Sequence, residues 1–384
     1  MEELSKAWRE RTHRLVPPEQ TYDKIRPLLP LAGITRCADV TGLDYLGIPV
    51  YCAIRPTGTL LQVSNGKGLR HIDAQVSSLM EAIELFHAEN PTGESRYTSL
   101  SDLTRDGEEV VSPRDLTGSW RHRYFSADFK LDWVRGQNLP DGKAVWLPSD
   151  AVYFSGLKSY MWTSNGLASG NHLVEATLHA LYEVAERDTI SRLGVDGKIT
   201  MKRCQVIDTG TIDDPMILDL RLKLDQADVT LVLISVQGEI DLPTFWAILL
   251  DGNPTSFTSQ VRMGYGTHLS ASLAATRAIT EAAQSRLTFI HGAREDLKDS
   301  ASYKKADTFS GLYKYFNKMK GEVPWSTFED KSDRDLQVDY RRVISEFTDA
   351  GFDRVYRVDL TRPPFDIPVA KVFVPETSNN HKLF

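Results

Sequence analysis

Three long segments that lack both glycine and proline limit the folds this sequence can adopt. They span residues 73–89, 173–193 and 270–291. Glycine and proline are the residues that most strongly interrupt helices, and each segment is long enough for several helical turns. We therefore predict three long helices around which the rest of the fold has to be arranged.

Short apolar runs between these segments are predicted to form strands. They are bounded by turn sequences such as Arg-Pro-Thr-Gly at 55–58. The polar residues 90–115 are predicted to be a loop. Because strands and long helices are interleaved along the chain, the fold class is α/β or α+β. The predicted strands are residues 48–54, 60–63, 144–147, 151–154, 204–208, 229–236, 245–250, 352–359 and 367–374.

Composition excludes several classes of protein. The 384 residues carry a net charge of −7, which argues against a nucleic-acid partner. Three scattered cysteines, Cys37, Cys52 and Cys204, form neither a disulfide framework nor a zinc motif. No apolar run reaches the ~20 residues of a membrane span, and the polar N-terminus is unlike a secretory signal. We expect a cytoplasmic protein without a membrane partner.

The chain is predicted to contain one main domain. Residues 1–32 are predicted to form a charged, then proline-rich lead-in segment, and residues 33–384 the main domain. Within the main domain, residues 295–339 are highly charged and loosely patterned, which predicts a mobile insertion.

The first predicted helix carries a hydroxyl and two carboxylates on one face. At ~100° per residue, Ser77, Glu81 and Glu84 lie within ~60° of one another. Apolar residues cover much of the remaining circumference, so this stripe faces either solvent or a polar site. Solvent exposure alone would explain one such pair of glutamates.

The second predicted helix repeats this pattern with more acidic residues. Glu175, His179, Glu183 and Glu186 lie within ~80° of one another. The carboxylates repel one another, and a divalent cation would remove that cost. The small-residue turn at 163–171 leads into this helix, whose N-terminus favours a phosphate or a ribose hydroxyl. An ordinary capping turn would explain the turn by itself.

The third predicted helix combines a cation, a carboxylate and an amide. Arg277, Glu281 and Gln284 share ~60° of one face, and Arg286 points to the opposite side. Either a structural ion pair or a phosphate-binding group would explain this stripe. Lys67 lies in an Asn-Gly-Lys-Gly sequence that resembles a fragment of a phosphate-binding loop, although the full motif is absent. Together the stripes favour a Mg²⁺–nucleotide site built mainly from helices.

Three separated motifs resemble those of the YcaO family. Residues 65–89 (NGKGLRHIDAQVSSLMEAIELFHAE) are similar to its first motif, roughly GKG…SxxxExxE. Residues 164–188 are similar to NGxAxGN…E…HALxExxER, and residues 277–286 are similar to RAxxEAxQ. Arg36 and Asp44 lie in a segment that resembles the strand-turn-strand opening the family's core. The resemblance covers residues 33–375 with the motifs in the family's order.

The resemblance implies an α+β fold in which antiparallel-rich sheets are flanked by the long helices. It implies that ATP and Mg²⁺ are the cofactors of an enzyme that phosphorylates the oxygen of a peptide backbone amide. A nucleophile attacks the carbonyl, and the phosphorylated oxygen departs as phosphate. The product is a thioamide when sulfide attacks, or an azoline when a Cys, Ser or Thr side chain attacks.

The resemblance also assigns roles to the residues that match the motifs. Catalysis and binding are expected to share these residues. The residues assigned to catalysis and to Mg²⁺ are Glu81, Glu84, Glu183 and Glu186, with Glu175 as a further metal ligand. The residues assigned to the nucleotide are Lys67, Ser77, Asn171, Glu175, Arg187, Arg277, Glu281 and Gln284.

Two departures from the family pattern bear on the product and the partner. Leu85 follows Glu84 where many members have an arginine. Azoline-forming members commonly end in a proline-rich tail, whereas this sequence ends in VPETSNNHKLF, which favours a thioamide. We see no leader-binding region before residue 30, so we expect a separate TfuA-like or ThiF-like, leader-binding protein to bring the peptide or protein substrate. A homodimer remains open.

Two other functions would use the same site. A nucleotide-binding regulatory or scaffold subunit would keep the site without turnover, although sequence drift would then be expected to remove some of the glutamates. A ligase that forms an acyl phosphate would share the metal site but need a free carboxylate as its substrate. ADP formation that depends on a peptide amide separates the amide-activating enzyme from both.

Overall fold

The computed structural model has an α+β fold, as predicted. It describes residues 3–7, 9, 11–116, 125–154, 162–195, 198–254, 259–294 and 306–378. The α-helices are α1 Pro18–Ile25, α2 His71–Glu89, α3 Leu100–Arg105, α4 Ser149–Val152, α5 Leu173–Ser191, α6 Pro215–Gln226, α7 Ala271–His291, α8 Ala306–Phe316 and α9 Leu336–Asp349. The strands are β1 Arg36–Asp39, β2 Val50–Ile54, β3 Val63–Lys67, β4 Ser95–Ser99, β5 Lys130–Asn138, β6 Ala144–Pro148, β7 Leu167–Ser169, β8 Gly194–Val195, β9 Lys198–Ile199, β10 Cys204–Asp208, β11 Val229–Val236, β12 Thr244–Asp251, β13 Val261–Thr267, β14 Val323–Pro324, β15 Tyr356–Asp359 and β16 Val369–Phe373.

A three-stranded antiparallel sheet, β1-β2-β3, lies between the long helices α2 and α7. Alternate residues of β3 point to opposite faces of this sheet. On one face Gly66 lies so close to α2 that a Cβ atom there would be 2.1 Å from the backbone nitrogen of Ser78. On the other face the side chain of Asn65 donates a hydrogen bond to Thr288 of α7 (2.8 Å). The sheet therefore fixes α2 and α7 relative to each other.

A second sheet, in the order β13-β12-β11-β10-β14, supports α7 through that helix's apolar residues. Its strand pairs are antiparallel except for β10 with β14. Gly266 of β13 allows a close approach, because a Cβ atom there would be 2.0 Å from the carbonyl oxygen of Ala274. The alanine-rich face of α7 is thus used for packing, and its polar stripe is left for the side that faces β3.

A third sheet, in the order β4-β5-β15-β16-β7, carries α5. β6 also pairs with β5, and β8 with β9 forms a separate hairpin. The core between α5 and this sheet contains Leu181 and Val184 of the helix and Val372 of β16. Gly166, at the turn before β7, has a positive φ of 73°, and a Cβ atom there would be 2.3 Å from the carbonyl oxygen of Val372. Glycine is therefore required at this turn.

Residues near the N-terminus pack against α5 and α9. Leu4 joins the core beneath α5 and α9. Nζ of Lys6 is buried and lies 2.5 Å from Oδ2 of Asp339 on α9. Among the described residues, no helix is both long enough and apolar enough to cross a membrane.

The sequence located the three long helices well and the shorter elements less well. The predicted bounds of α2, α5 and α7 agree with the observed ones to within two residues, and those of β10 and β11 agree at both ends. The predicted strand at 151–154 is wrong, because α4 ends there, and the predicted loop at 90–115 contains β4 and α3. A short apolar run is compatible with a buried turn of helix as well as with a strand. The longer elements that were missed are β5, β13, α6, α8 and α9.

The predicted mobile insertion at 295–339 is folded from residue 306 onward. Phe309 and Phe316 of α8 are buried in the core beneath β11, β12 and β13, and Trp325 is buried against the other face of this sheet. The charged residues between these aromatic side chains remain at the surface, so charge alone was a poor guide to mobility. Residues 295–305 lie outside the described residues.

Arg286 of α7 is fully buried and points away from the polar stripe, as predicted. Its Nε donates a hydrogen bond to Asp44 (2.7 Å), and its Nη1 donates one to Asp251 (2.7 Å). The hydroxyl of Tyr45 also donates to Asp251, and its ring lies against the guanidinium group. One buried cation thus joins the loop before β2, the end of β12 and α7.

Arg286→Met is expected to lower the free energy of unfolding by about 3–5 kcal/mol, because two buried carboxylates lose their shared cation. Arg354→Met is the matched control, since Arg354 is 43% exposed and pairs with Asp115 and Glu376 at the surface. We expect this control to cost about 1 kcal/mol or less. Urea unfolding followed by tryptophan fluorescence measures both values. Equal losses in the two variants would contradict the role assigned to Arg286.

Candidate functional site

The polar stripes of α2, α5 and α7 come together beside the end of β3. The charge of Glu183 on α5 acts on Glu84 of α2, and the charge of Glu281 on α7 acts on Glu186 of α5. Most stripe residues are partly exposed, whereas their neighbours along each helix are mostly buried. The three predicted stripes therefore face one another, and we call the partly exposed space between them the recess. The predicted residues on these stripes and at the end of β3 are Lys67, Ser77, Glu81, Glu84, Glu183, Glu186, Arg187, Arg277, Glu281 and Gln284.

Lys67 is the last residue of β3 and reaches across to α7. Its Nζ donates a hydrogen bond to Glu281 (2.7 Å), whose other oxygen accepts one from the backbone N–H of Tyr265 (3.3 Å). Burial opposes ionisation of Glu281, but the cations Lys67 and Arg187 hold its pKa below the usual value. The Asn-Gly-Lys-Gly sequence therefore forms the end of a strand and not the loop that it resembles.

Glu84 reaches from α2 to β7. One of its oxygens accepts hydrogen bonds from the backbone N–H of Ser169 (2.8 Å) and from the Ser169 hydroxyl (2.6 Å). Burial raises the pKa of Glu84 to about 8 against the effect of these hydrogen bonds, and the charges of Glu81 and Glu183 act in the same direction as burial. Without a cation, the Glu84 carboxyl group is therefore largely protonated at neutral pH.

Two further carboxyl groups come from α5, the half-buried Glu183 and the buried Glu186. Burial raises the pKa of both, to about 7 for Glu186, where the charge of Glu281 adds to the shift. Arg187 lies 3.7 Å from Glu183 and offsets part of the effect there. Oε2 of Glu186 is buried and has no hydrogen-bond partner among the described residues. The recess thus concentrates negative charge that its protein surroundings compensate incompletely.

This set of oxygen atoms fits Mg²⁺. The ion prefers oxygen ligands and is commonly bound by one or two carboxylates together with water and phosphate oxygens. Within the described ranges, no group of three acidic, histidine or cysteine side chains is placed to hold a metal ion by itself. A cation near α2 and α5 would favour the ionised forms of Glu84 and Glu186. It would also give the buried Oε2 of Glu186 a partner.

Gln284 is held in place by the backbone of β3. Its Nε2 donates a hydrogen bond to the carbonyl oxygen of Asn65 (3.0 Å). The side chain of Asn65 is fixed in turn by Thr288 (2.8 Å) and by the thiol of Cys52, which donates to it (3.0 Å). The Gln284 amide is therefore oriented at the edge of the recess before any ligand arrives.

Three cations surround His179 of α5. Nη1 of Arg277 lies 3.2 Å from Nδ1 of the ring. Burial lowers the pKa of His179 well below its usual value, and the charges of Arg277, Arg14 and Lys67 lower it further. The ring is therefore neutral and accepts a hydrogen bond from Arg277. Three positive charges beside a group of carboxylates suit the phosphates of a nucleotide.

Glu175 has structural contacts that conflict with its predicted role as a metal ligand. It is 2% exposed, and its two oxygens accept hydrogen bonds from Arg14 (3.3 Å), from the backbone N–H of Leu15 (2.9 Å) and from the backbone and side chain of Asn171 (3.1 and 3.0 Å). The Asn171 amide oxygen accepts from Thr21 (3.0 Å). We therefore remove Glu175 from the expected metal ligands, because its oxygens fasten the lead-in segment to the start of α5.

Sequence analysis missed several residues around the recess. Arg14 belongs to a segment with no recognised motif, and Ser169 looked like part of a capping turn. Lys371 is buried on β16, and its Nζ donates hydrogen bonds to the carbonyl oxygens of Thr163 (2.6 Å) and Asn165 (2.7 Å). One signal was available for Lys371, since it is the single charged residue in the apolar run 367–374.

Comparison with known protein families agrees with a recess whose side chains suit Mg²⁺ and phosphates. A family model described as YcaO cyclodehydratase, ATP- and Mg²⁺-binding, matches residues 65–378, most of the chain. The chain belongs to the YcaO family. The resemblance of the three motifs is thus confirmed, and ATP and Mg²⁺ are the cofactors.

Curated relatives align along much of the chain. An uncharacterised protein of Mycobacterium tuberculosis is 40% identical over 302 residues, which are 76% of this chain and 65% of the relative. This chain therefore spans slightly less than two thirds of that protein. An uncharacterised protein of Methanothermobacter thermautotrophicus is 31% identical over 375 residues, which are 94% of each chain. A Rhizobium leguminosarum bv. trifolii protein, described as lying in the tfuA 3′ region, is 29% identical over 375 residues, 94% of this chain and 88% of its own length.

Solved YcaO structures share the fold. YcaO from Methanopyrus kandleri, bound with AMPPCP and Mg²⁺, has a TM-score of 0.78 and 21% identity, covering 98% of this chain and 95% of the other. A heterocyclase in complex with substrate and cofactor has a TM-score of 0.80 and 22% identity, covering 99% of this chain and 54% of the other. At these identities the likeness establishes the fold.

Glu84→Gln is expected to stabilise the metal-free protein increasingly as the pH rises from about 5 to about 8. The ordinary pKa of a glutamate is 4.5, whereas that of folded Glu84 is about 8. The folded wild type therefore loses stability as the pH rises through this window, and the variant has no proton to lose. Because the recess is partly open to solvent, we expect a difference on the order of 2 kcal/mol above the folded pKa.

Urea unfolding in the presence of a chelator, at a pH below 6 and again above 8, measures this difference. The exposed Glu329 supplies the matched control, Glu329→Gln, which should show no such trend. A stability gap between Glu84→Gln and wild type that stays constant with pH would refute the burial of an ionisable Glu84.

Proposed function

We propose that this protein is an enzyme that uses ATP to activate a backbone amide of a peptide or protein by phosphorylating the amide oxygen. The observation that carries the proposal is the convergence of incompletely compensated carboxylates and a group of cations at one recess. The carboxylates from α2 and α5 suit Mg²⁺, and the cations from β3, α5 and α7 suit phosphates. Membership of the YcaO family supports the same reading.

Four acidic residues at the junction of α2 and α5 are proposed to ligate Mg²⁺, one or two to each ion, together with phosphate oxygens and water. They are Glu81, Glu84, Glu183 and Glu186. When bound, Mg²⁺ supplies positive charge next to the phosphates of ATP. The hydrogen bonds from Ser169 fix the Glu84 carboxylate, and the two helices hold the other three at fixed spacings.

The nucleotide is proposed to lie against α7 and the start of α5. We assign the phosphates to Lys67, Arg187 and Arg277, with Glu281 orienting the lysine amine. Arg14 joins this set, because its charge lies next to His179 together with those of Lys67 and Arg277. Ser77, Asn171 and Gln284 are assigned to the remainder of the nucleotide.

A peptide amide needs this assistance because its carbonyl carbon is a weak electrophile and its oxygen a poor leaving group. The nucleophile adds to the carbonyl carbon and loses its proton. The resulting oxyanion takes the γ-phosphoryl group, and ADP departs. The C–O bond then breaks and inorganic phosphate leaves. A C=S bond completes the thioamide, whereas for the azoline the amide nitrogen gives up its proton and a C=N bond forms. The protein contributes mainly by orienting the reactants and by placing fixed charges around them.

Of the two products, we favour the thioamide. A relative that aligns along 94% of this chain is described as lying in the tfuA 3′ region, which supports a TfuA-like partner protein. The azoline is the second candidate, because a heterocyclase shares the fold along 99% of this chain. A nucleotide-binding regulatory or scaffold subunit without turnover is the alternative function, and ADP formation that depends on a peptide amide separates the enzyme from it.

The mass of the modified peptide distinguishes the two products. The purified protein is incubated with ATP, Mg²⁺, sulfide and the candidate peptide encoded next to its gene. A gain of about 16 Da, the replacement of oxygen by sulfur, is expected for a thioamide. A loss of about 18 Da, the mass of one water, would instead establish cyclodehydration. Unchanged peptide mass together with peptide-independent ADP formation would refute amide activation.

Glu183→Gln is expected to lower ATP turnover by about a hundredfold or more without unfolding the protein, because a neutral amide is a poor ligand for Mg²⁺. Phosphate release in the presence of peptide measures turnover, and circular dichroism with thermal unfolding checks the fold. Glu329→Gln, at an exposed position outside the recess, is the matched control and should keep wild-type turnover. Wild-type turnover in the Glu183 variant would remove this residue from the metal site.

A further inference from the structure

Lys371 is a buried cation in an otherwise apolar strand. It is 2% exposed, and the rings of Trp162 and Phe373 lie 5.0 and 5.2 Å from its Nζ. Taking an ammonium group out of water is costly unless hydrogen bonds compensate for the lost hydration. Two carbonyl oxygens, those of Thr163 and Asn165, provide these bonds at 2.6 and 2.7 Å. Methionine or leucine would fill this place without that cost, so the charge calls for an explanation.

The two carbonyl groups belong to the turn that leads into β7. β7 has three residues, and among the described strands β16 is its single partner. Lys371 sits opposite Leu167 in that pairing. Oδ1 of Asn165 is buried without a hydrogen-bond partner among the described residues, so this side chain oxygen does little to secure the turn. The ammonium group therefore ties the turn before β7 to β16. Its hydrogen bonds add to those that pair the two strands.

β7, which follows this turn, ends at Ser169, the residue that holds the Glu84 carboxyl group. Ser169 is the last residue of β7 and donates two hydrogen bonds to one Glu84 oxygen. A shift of the turn at 163–166 would move Ser169 along with it. Burial lowers the pKa of Lys371 to about 7, and the charge of Glu183 acts against that shift, which places the ammonium near a carboxylate of α5 as well.

We propose that Lys371 is a positioning residue for the metal carboxylates. By tying the turn at 163–166 to β16, it fixes β7 and with it the hydrogen bonds from Ser169 to Glu84. This inference rests on the proposed function, since it takes Glu84 to be a metal ligand. Residues that orient a ligand from behind commonly change metal affinity by about 10- to 100-fold when they are replaced.

The test measures how much Mg²⁺ is needed for a non-hydrolysable ATP analogue to bind, by isothermal titration calorimetry. Lys371→Met is expected to raise the half-saturating Mg²⁺ concentration about tenfold. Ser169→Ala should raise it to a similar degree, and the double variant no further than the larger single effect, because both changes break one chain of contacts. A wild-type Mg²⁺ requirement in Lys371→Met, or effects that multiply in the double variant, would overturn the inference.

Lys6→Met controls for general loss of stability. Lys6 is likewise a buried lysine, paired with Asp339 on α9 (2.5 Å), and its replacement should lower the unfolding temperature but leave the Mg²⁺ requirement unchanged. Lys371→Gln keeps an amide donor and gives a milder second variant, for which a shift of several-fold is expected and an unchanged requirement overturns the inference. If the wild type binds no nucleotide with Mg²⁺, the proposed function fails and this inference fails with it.

Discussion

The burial of carboxyl groups before any cation is bound is the constraint on which this structure depends. Burial raises the pKa of Glu84, Glu183 and Glu186, so each of them resists ionisation in the protein alone. Such groups lower the stability of the metal-free fold, and they persist only where the surrounding elements leave them no alternative position. Long helices satisfy this requirement, because the spacing of residues on one helix is fixed by its backbone hydrogen bonds.

The three sheets serve to bring these helices to one place. The β1-β2-β3 sheet separates α2 from α7, while the second and third sheets support α7 and α5 from behind. Glycines allow the closest approaches, since a Cβ atom at Gly66 or Gly266 would lie 2.1 or 2.0 Å from helix backbone atoms. The helices thus approach their sheets through small residues, and the charged side chains are kept for the recess between them.

The sequence predicted those side-chain arrangements that follow from the periodicity of a single helix. Glu81 and Glu84, or Glu183 and Glu186, lie on one helical face whatever the tertiary structure is, so their spacing in the sequence was enough to place each pair on a common face. The contacts of Glu175 could not be read in this way, because its partners Arg14 and Leu15 lie 161 and 160 residues away in the sequence. Long-range hydrogen bonds of this kind depend on how segments pack and leave no periodic pattern.

Lys371, in a β-strand, shows the same limit of prediction from sequence. Its charge stands out in an apolar strand, but its partners at Thr163 and Asn165 are 208 and 206 residues away. The prediction of short elements failed for a related reason. The run at 151–154 has the composition of a strand, and its buried position at the end of β6 allows a turn of helix to shield the same side chains. In both cases the deciding contact lies outside the segment itself.

The position of the small sheet between α2 and α7 has a consequence for how the protein is made. Asn65 and Thr288 are 223 residues apart, and Lys67 and Glu281 are 214 residues apart. During synthesis, α2 emerges from the ribosome long before α7 does, and the face of β3 that α7 will cover stays open for most of that time. The recess is therefore a late feature of folding, and a nascent chain cannot complete it until α7, which ends at His291, has been translated.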